Sequence, residues 1–366
     1  MSRVCYVPSD SLLLIFQARI SRKEICDGSI MMAQTFAEND LVCPTLLWQR
    51  YPPPEVLPIP EMKEIPANFR EVLHSEIRGE ILENELLKER TTYRIGGAAR
   101  YLVCPRDLDD LRKLNRLIRR HQIPEFILGG GANVLVNDQG FNGVVVHLKN
   151  FNRLGLNGSK VTAGAGLVLD QFVVSCLKRE LAGLERLSGI PGTLGGALRM
   201  NAGAFDAEIS DHLVTVEFMD FEGNLRVLQR SEVAFAYRQA PVIKDTYILG
   251  ATFDFPRAAA EDHFKVREEI LARRHEKQPW QYPSAGSVFK RPPGYYTGKL
   301  IEDLGLKGKT IGRAQISSKH AGIIINLGEA TAEDVLQLIR LTQDQVRRHY
   351  RVELELEQEL IGFDES

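Results

Sequence analysis

From about residue 82 onward, apolar residues recur at spacings that switch between two and three-to-four, so strands and helices are expected to follow one another. Residues 91–105 read as a turn into a strand. Leu111, Leu114 and Ile118 share one stripe of a predicted helix over 107–121, with Asp107 placed to cap it. Short apolar runs at 126–128, 134–136, 144–148 and 161–163 predict strands, and a helix is expected near 169–179. Glu222-Gly223-Asn224 joins strand-like runs at 214–220 and 225–228 as a hairpin turn, and 247–255 reads as a further strand. A charged helix over 258–275 marks a boundary. In the last predicted helix, Val335, Leu338, Ile339, Thr342 and Val346 form the apolar stripe, and Thr331 with Asp334 approximates a capping box. The ending VELELEQELIG alternates apolar and acidic residues, which predicts a half-exposed strand. The content is mixed helix and strand, with no internal repeat.

Residues 1–66 lack this periodicity and end in a proline-rich stretch containing Pro52, Pro53, Pro54, Pro58, Pro60 and Pro66, which reads as a linker. An N-terminal extension over 1–78, partly disordered and without catalytic residues, is therefore expected. Met31 and Met32 would suit an internal start. The chain has 366 residues, more than one ordinary domain, with 44% apolar and 26% charged residues, as in globular proteins. A net charge of −2 gives no electrostatic reason to expect nucleic acid. Arg119, Arg120, Arg273 and Arg274 fall on predicted helix faces and read as solvated charge. Five scattered cysteines without a C-x-x-C pair argue against a disulfide framework and a zinc site and suit a reducing cytoplasm. No apolar run is long enough to span a bilayer.

Candidate chemistry sits in two kinds of segment. Three are glycine-rich: Gly96-Gly97, Gly129-Gly130-Gly131 with Ala132 and Asn133, and GIPGTLGGALRMNAGAF over 189–205. Each alone is more often a tight turn, but together they offer backbone amides to an extended pyrophosphate ligand. None matches the dinucleotide fingerprint G-x-G-x-x-G after a strand, so a nucleotide cofactor would be held by a fold other than Rossmann. The other segment is QYPSAGSVFKRP over 281–292. There Ser287 follows Ala285 and Gly286, which leave its hydroxyl open to close approach, while Val288 and Phe289 anchor the segment in a core.

Taken in order, ILGGGANVLVNDQGFNGVVV, SGIPGTLGGALRMNAGAF, FAYRQAP, YPSAGSVFKRP with GKLIEDLGLKG, and LELEQELIG resemble the UDP-N-acetylenolpyruvoylglucosamine reductase (MurB) family, from about residue 79 to 362. The resemblance implies an α+β protein. A vanillyl-alcohol-oxidase/PCMH-type FAD-binding region over 79–256 would precede a smaller α/β substrate domain over 257–351 and a terminal strand over 352–366. It implies a cytoplasmic enzyme of peptidoglycan precursor synthesis, a monomer or weak dimer. Such an enzyme would use FAD and NADPH to reduce the enolpyruvyl double bond of UDP-N-acetylglucosamine enolpyruvate to the lactyl ether of UDP-N-acetylmuramate. Without a Rossmann domain, NADPH is expected to share the substrate cleft, in ping-pong order.

By the same resemblance, Ser287 matches the proton donor and Arg238 the arginine that binds the substrate carboxylate. Glu357 matches the terminal catalytic glutamate. A hydroxyl is a poor acid and needs a strongly basic carbon and a fixed approach. A guanidinium fork suits a carboxylate whose charge grows. A glutamate that hydrogen-bonds the developing enediolate works best with a raised pKa. Spacing alone does not choose among Glu353, Glu355, Glu357 and Glu359; alignment on Gly362 selects Glu357. Implied cofactor positions are Tyr93, Ile95, Gly96 and Gly97, then Leu128, Gly129, Gly130, Gly131, Ala132, Asn133 and Val134. They continue with Gly189, Pro191, Gly192, Gly195, Gly196, Asn201, Ala202 and Gly203. Tyr237, Lys290, Lys299 and Gln315 are implied on the substrate side, with solvated lysines as the alternative for Lys290 and Lys299.

Ala132 and Ala240 stand where the family commonly has serine. Tyr295 and Tyr296 replace His or Phe, and Leu198 and Arg199 replace a more apolar pair beside the flavin ring. The interval from Arg238 to Ser287 leaves no room for the tyrosine-bearing loop of one subclass, so the shorter subclass with a more open cleft is implied. Two other readings compete: an FAD-dependent alcohol or lactone oxidase of the same fold, and a UDP-sugar-binding copy without turnover. The first would commonly attach a histidine to the flavin, and the 129–133 loop has none.

Overall fold

The computed structural model describes residues 65–363; the proline-rich stretch and possible internal start fall almost wholly outside them. Packing begins at helix α1 (Phe69–Glu76), ahead of the domain start expected at 79. Phe69 and Leu73 are fully buried because both lie on the face of α1 turned to helix α2 (Leu108–His121).

The first sheet is built from β1 (Glu80–Leu86), β2 (Ala98–Cys104), β3 (Glu125–Leu128) and β5 (Phe141–His147), in the order β1-β2-β5-β3. β1 runs antiparallel to β2, while β2 and β3 both pair in parallel with β5. Strand β4 (Val134–Val136) leaves this sheet for another partner, described below. Helix α2 covers one face with Leu111, Leu114, Leu117 and Ile118, against Tyr101, Val103, Val144 and Val146. The cap expected at Asp107 is present: its side chain accepts from the Asp110 amide at 3.0 Å. Asp110 is itself fully buried, and its carboxylate accepts from the amides of Arg78, Gly79 and Arg106, so the charge has donors on every side.

A second, antiparallel sheet follows. It contains β6 (Leu154–Asn157), β7 (Lys160–Gly164), β10 (Leu213–Met219), β11 (Leu225–Gln229) and β12 (Tyr247–Asp254), in the order β11-β10-β12-β7-β6. The hairpin expected around Gly223 joins β10 and β11. Before β10 come helices α3 (Leu169–Leu177) and α4 (Leu194–Arg199), then a two-residue hairpin of β8 (Gly203–Ala204) and β9 (Ala207–Glu208). Phe172, Val173 and Leu177 of α3 pack with Val161, Val216, Ala251 and Phe253 of the sheet. Met219, Tyr247 and Leu249 reach the core of the first sheet, so the two sheets share buried surface. Burial of that much apolar area, at about 25 cal/mol per Å², is what fixes their relative position.

The remaining elements are α5 (Ala260–Lys277), α6 (Thr297–Asp303), β13 (Thr310–Ile311), β14 (Ala314–Ile316), β15 (Ile324–Asn326), α7 (Ala332–Tyr350) and β16 (Glu359–Ile361). Strands β13, β14 and β15 form a small antiparallel sheet under α7. The capping box at Thr331 and Asp334 forms as expected. Asp138, from the β4–β5 turn, adds a second carboxylate at that helix start, accepting from the Ala332 amide at 2.9 Å. The alternating C-terminal run is a strand only at β16, which pairs in parallel with β4. The expectation of one long strand fails because 352–356 turn Leu354 into the core under α7, and the Leu354 carbonyl accepts from Gln343.

Candidate active site

Two glycine-rich loops meet face to face. A Cβ on Gly130 would lie 2.5 Å from the Gly192 Cα, a distance no larger residue tolerates, so 129–131 and 191–193 approach backbone to backbone. Thr193 caps α4, accepting from the Gly196 amide. A groove between the loops is lined by Gly129, Thr193, Gly195, Gly196, Arg199 and His147. Burial holds His147 neutral by pushing its pKa down to about 4, with Lys149 and Arg90 adding to the effect. Glycine backbone on both sides of a groove suits a pyrophosphate-linked nucleotide cofactor, because amides reach the ligand without side chains intervening.

Not every implied cofactor position faces this groove. Gly96 and Gly97 lie against the turn at 136–140, where the Gly97 amide donates to the Asn137 carbonyl. Ile95 and Val134 bury their side chains in the core, and Ala202 packs on the core of the second sheet, whereas Leu128, though 3% exposed, borders the groove. Gly131 accepts from the Thr92 amide, Gly189 turns beside α5, and Pro191 is exposed. Ala132 is half-buried and packs toward Gly192. Tyr93 is fully buried beside Ala285, Val288 and Phe289, behind the serine segment.

Asn133 links the cradle to the reactive end. Its amide side chain donates to the Glu357 carbonyl at 2.8 Å, and its own carbonyl accepts from the Glu359 amide at 3.0 Å. The Glu357 amide in turn donates to the Val288 carbonyl at 2.9 Å, one residue past Ser287. Ser287 pairs with Ile323, and Phe289 with Leu356, as isolated antiparallel bridges. Glycine loop, serine segment and C-terminal segment are thus tied through three consecutive residues, 357–359.

Arg238 arrives from a third direction. It sits in a tight turn closed by mutual hydrogen bonds between Ala236 and Gln239, and its φ is +56°, a conformation costing a non-glycine residue of order 1 kcal/mol. Asn201, buried at the end of α4, donates to the Ala236 carbonyl and to Glu208 and so braces this turn. The Arg238 Nε donates to Glu357 Oε1 at 2.8 Å, and an Nη donates to the Gly203 carbonyl at 2.8 Å. Burial raises the Glu357 pKa above the usual carboxylate range, and the charges of Arg238 and Lys290 only partly oppose it. Glu353 and Glu355 have side chains 70% and 69% exposed, against 14% for Glu357 and 26% for Glu359, which pairs with Arg199 rather than Arg238. Arg238, Ser287 and Glu357 are therefore carried on three segments that converge, two of them in direct contact.

The implied substrate positions divide. Lys290 belongs to this centre: its charge acts on Glu357 and its ammonium pairs with Glu355. Tyr237 lies half-exposed, with the Arg238 guanidinium 5.0 Å from its ring. Lys299 is exposed on α6 and pairs with Asp303 in the same helix. Gln315 on β14 spends its side-chain amide on the Gly308 carbonyl and Thr310. Leu198 is fully buried, while Arg199 pairs with Glu359.

Arg274 departs from the solvated reading given to it: Arg273 is exposed, but Arg274 is 7% exposed, with its Nε unpartnered. It lies beside Gly189 and 5.8 Å from the Phe205 ring centroid, and both burial and the charge of Arg238 lower its pKa. The signal was present in the chain, since Arg267, Ile270 and Arg274 fall on one buried stripe of α5 at helical spacing. Arg238 meets Glu357 and Arg274 feels the charge of Asp170, which is itself paired with Arg267, so the buried cations here are only partly balanced within the protein, an arrangement that suits an anionic ligand.

Comparison with known proteins agrees with this geometry. Residues 278–361 match the UDP-N-acetylenolpyruvoylglucosamine reductase C-terminal domain, and residues 99–229 match an FAD-binding domain. The chain is 46% identical over 285 residues to the UDP-N-acetylenolpyruvoylglucosamine reductase of Caldanaerobacter subterraneus, covering 78% of this chain and 94% of that one. The corresponding protein of Listeria monocytogenes is 43% identical over 285 residues, covering 77% and 95%. Among solved structures, the reductase of Thermus caldophilus superposes with a TM-score of 0.67 at 35% identity, covering 78% of this chain and 99% of that one. The α+β architecture with an FAD-binding region is thereby shared with these proteins.

Proposed function

The chain belongs to the UDP-N-acetylenolpyruvoylglucosamine reductase family, and from that premise we propose how its residues carry out the family's reaction. It is an FAD-dependent oxidoreductase of peptidoglycan precursor synthesis, with NADPH as electron donor and UDP-N-acetylglucosamine enolpyruvate as substrate. The observation that carries the assignment of roles is the convergence of Arg238, Glu357 and the Ser287 segment beside the glycine cradle. The groove at Gly129, Gly195 and Gly196 would hold the cofactor's diphosphate region, a fit supported by the backbone-to-backbone approach of its walls. When bound, FAD relays two electrons and a proton equivalent, as hydride, from NADPH to the enolpyruvyl group.

The chain's own residues manage charge and the second proton. Hydride addition at one carbon of the double bond leaves negative charge on the other and on the adjoining carboxylate. Arg238 receives that carboxylate; its fork is already aligned by the Gly203 carbonyl and Glu357. Glu357, with its raised pKa, shares a proton with the developing enediolate. Ser287 gives its proton to the carbanionic carbon, and Gly286, at φ +70° with open space where a Cβ would be, keeps the approach to it clear. Arg274 adds a second, buried positive charge that strengthens as water is excluded. Tyr237 and Lys290 line the substrate side, and NADPH enters the same cleft in alternation with substrate.

The division into an N-terminal extension, an FAD-binding region to 256, a substrate domain over 257–351 and a terminal segment is retained in this proposal, with α1 (Phe69–Glu76) assigned to the FAD-binding region because Phe69 and Leu73 pack in its core. So are a monomeric or weakly dimeric state and a cytoplasmic setting. Among the described residues, no helix is long and apolar enough to cross a membrane. The test is anaerobic NADPH consumption by the purified yellow protein with and without the enol ether. Sustained consumption only in its presence is expected. Reduction of one flavin equivalent followed by no turnover would overturn the substrate assignment.

A further inference from the structure

The segment 357–359 carries a side chain that the reaction as described does not use. Gln358 is 4% exposed, and its Nε2 donates to the carbonyls of Ala285 at 3.1 Å and Gly286 at 3.4 Å. Those are the two residues immediately before Ser287. On the cleft side Gly286 faces open space, while Ala285 is buried in the core behind the segment. Past Ser287, the Val288 amide donates to the Gly322 carbonyl and the Val288 carbonyl accepts from the Glu357 amide. The serine is therefore held by main-chain bonds on its far side; on its near side the Thr92 hydroxyl fixes the Ser284 carbonyl at 2.7 Å, and Gln358 holds the two peptides between that point and Ser287.

The surroundings of Gln358 make an incidental packing role an incomplete account. Its Oε1 and the hydroxyl of Tyr93 are both buried and lie against one another, with no other polar partner for either. A polar pair buried this deeply costs desolvation that an isosteric leucine would avoid. What the amide achieves is to fix a flexible Ala-Gly peptide pair relative to Glu357, its own chain neighbour. Proton delivery by a weakly acidic hydroxyl depends steeply on approach geometry.

We propose that Gln358 is a positioning residue that clamps the 285–286 backbone, and with it the Ser287 hydroxyl, in register with Glu357 and Arg238. The inference rests on the assignment of Ser287 as proton donor. Because the carbonyl oxygens of 285 and 286 are acceptors, only a side chain that donates can perform this task. Glutamine does so at all pH values, glutamate only when protonated, and leucine not at all.

The experiment uses the FAD-loaded full chain in stopped-flow mode, following flavin absorbance through each half-reaction separately. Gln358→Leu is expected to leave reduction by NADPH within about twofold of the parent while slowing reoxidation by the enol ether about 10–100-fold. The solvent isotope effect on reoxidation should rise, since proton delivery becomes more limiting. Gln358→Glu should regain reoxidation rate as pH falls, relative to Gln358→Leu at each pH, which a merely structural role would not produce. Tyr93→Phe keeps the ring and tests the hydroxyl's support of the amide, with a slowing of about two- to fivefold expected in reoxidation alone. Equal slowing of both half-reactions, or unchanged reoxidation in Gln358→Leu, overturns the proposal. If Gln358→Leu does not fold, Gln358→Glu decides: rate and isotope effect that do not depend on the added pH response overturn it equally. Ser287→Ala, measured alongside, separates the two levels. Should it leave reoxidation fast, the donor assignment itself is wrong; should it slow reoxidation while the Gln358 variants do not, only the clamp is wrong.

Discussion

At Gly130 the chain is held in place by having nothing there: the Gly192 backbone comes so close that any side chain would collide. At Ser287 the chain is held by partners that lie far away in sequence, Ile323 through a bridge and the 357–358 segment through main-chain and amide bonds. The cradle and the serine segment border one centre, yet they are built by opposite means. A glycine loop carries its capacity for close approach in local residue choice, whichever segment comes to meet it, and is intolerant of any added atom. A serine between small residues carries no geometry of its own. It acquires one only when three distant segments fold against it, and it can be adjusted by changes that never touch it.

The largest effect should come from breaking the local half. Gly130→Val forces the two loops apart, and the purified variant should be colourless, with FAD lost on gel filtration while the circular dichroism of the C-terminal elements persists. Retention of stoichiometric yellow flavin would refute the close-approach argument. Next comes the chemical residue of the other half. Ser287→Ala should bind FAD normally and be reduced by NADPH at the parental rate, but be reoxidised by the enol ether about 10²–10⁴-fold more slowly.

Glu357→Gln sharpens the comparison through pH. The Glu357 pKa is raised, so the protonated form persists above the ordinary glutamate range and is lost as pH rises through the raised value. Reoxidation in the parent should therefore fall along that limb, and the limb should be absent in Glu357→Gln, whose rate is lower and flat over the same range. By linkage, the stability that Glu357 gains from being neutral is full below the ordinary value and is also lost as pH rises through the raised one. A pH–rate profile of both proteins checks the first statement, and urea unfolding across the same window checks the second.

Arg274→Met should have a smaller and split effect. It removes a buried cation that repels Arg238, so the ligand-free protein should hold its melting temperature or gain slightly, whereas the enol ether should bind about tenfold more weakly. A variant that lost stability and kept affinity would mean that the charge is satisfied within the protein. The smallest effect is expected at a site touching neither half. Thr331→Ala removes the cap of α7 and should cost about 1 kcal/mol of stability with both half-reactions unchanged.

The same division governs how much could be read before the fold was known. The hairpin at Gly223, the Asp107 cap, the Thr331–Asp334 box and the stripe of α7 all depend on residues within a few positions of each other, and all formed where the pattern placed them. The C-terminal alternation misled because period two records burial on one side, whether the partner is a strand or, as at Leu354, the underside of a helix. Arg273 and Arg274 are chemically identical, and only the register of α5 against the Gly189 turn buries one and exposes the other.

What this chain determined by itself is therefore what short-range sterics and hydrogen bonding decide: the caps, the hairpin at Gly223, the glycine loops that admit a diphosphate, and the ordered motifs that place it in its family. What only the tertiary structure decided is selection among equivalents. Four glutamates alternate along the last segment, and Glu357 differs from Glu353 and Glu355 because Arg238, the Val288 carbonyl and Asn133 close around it. Gln358 likewise becomes a clamp only because the 285–286 carbonyls come to lie within reach of its amide. Burial and electrostatic environment are properties of the assembled neighbourhood, and no residue carries its neighbourhood in its own identity.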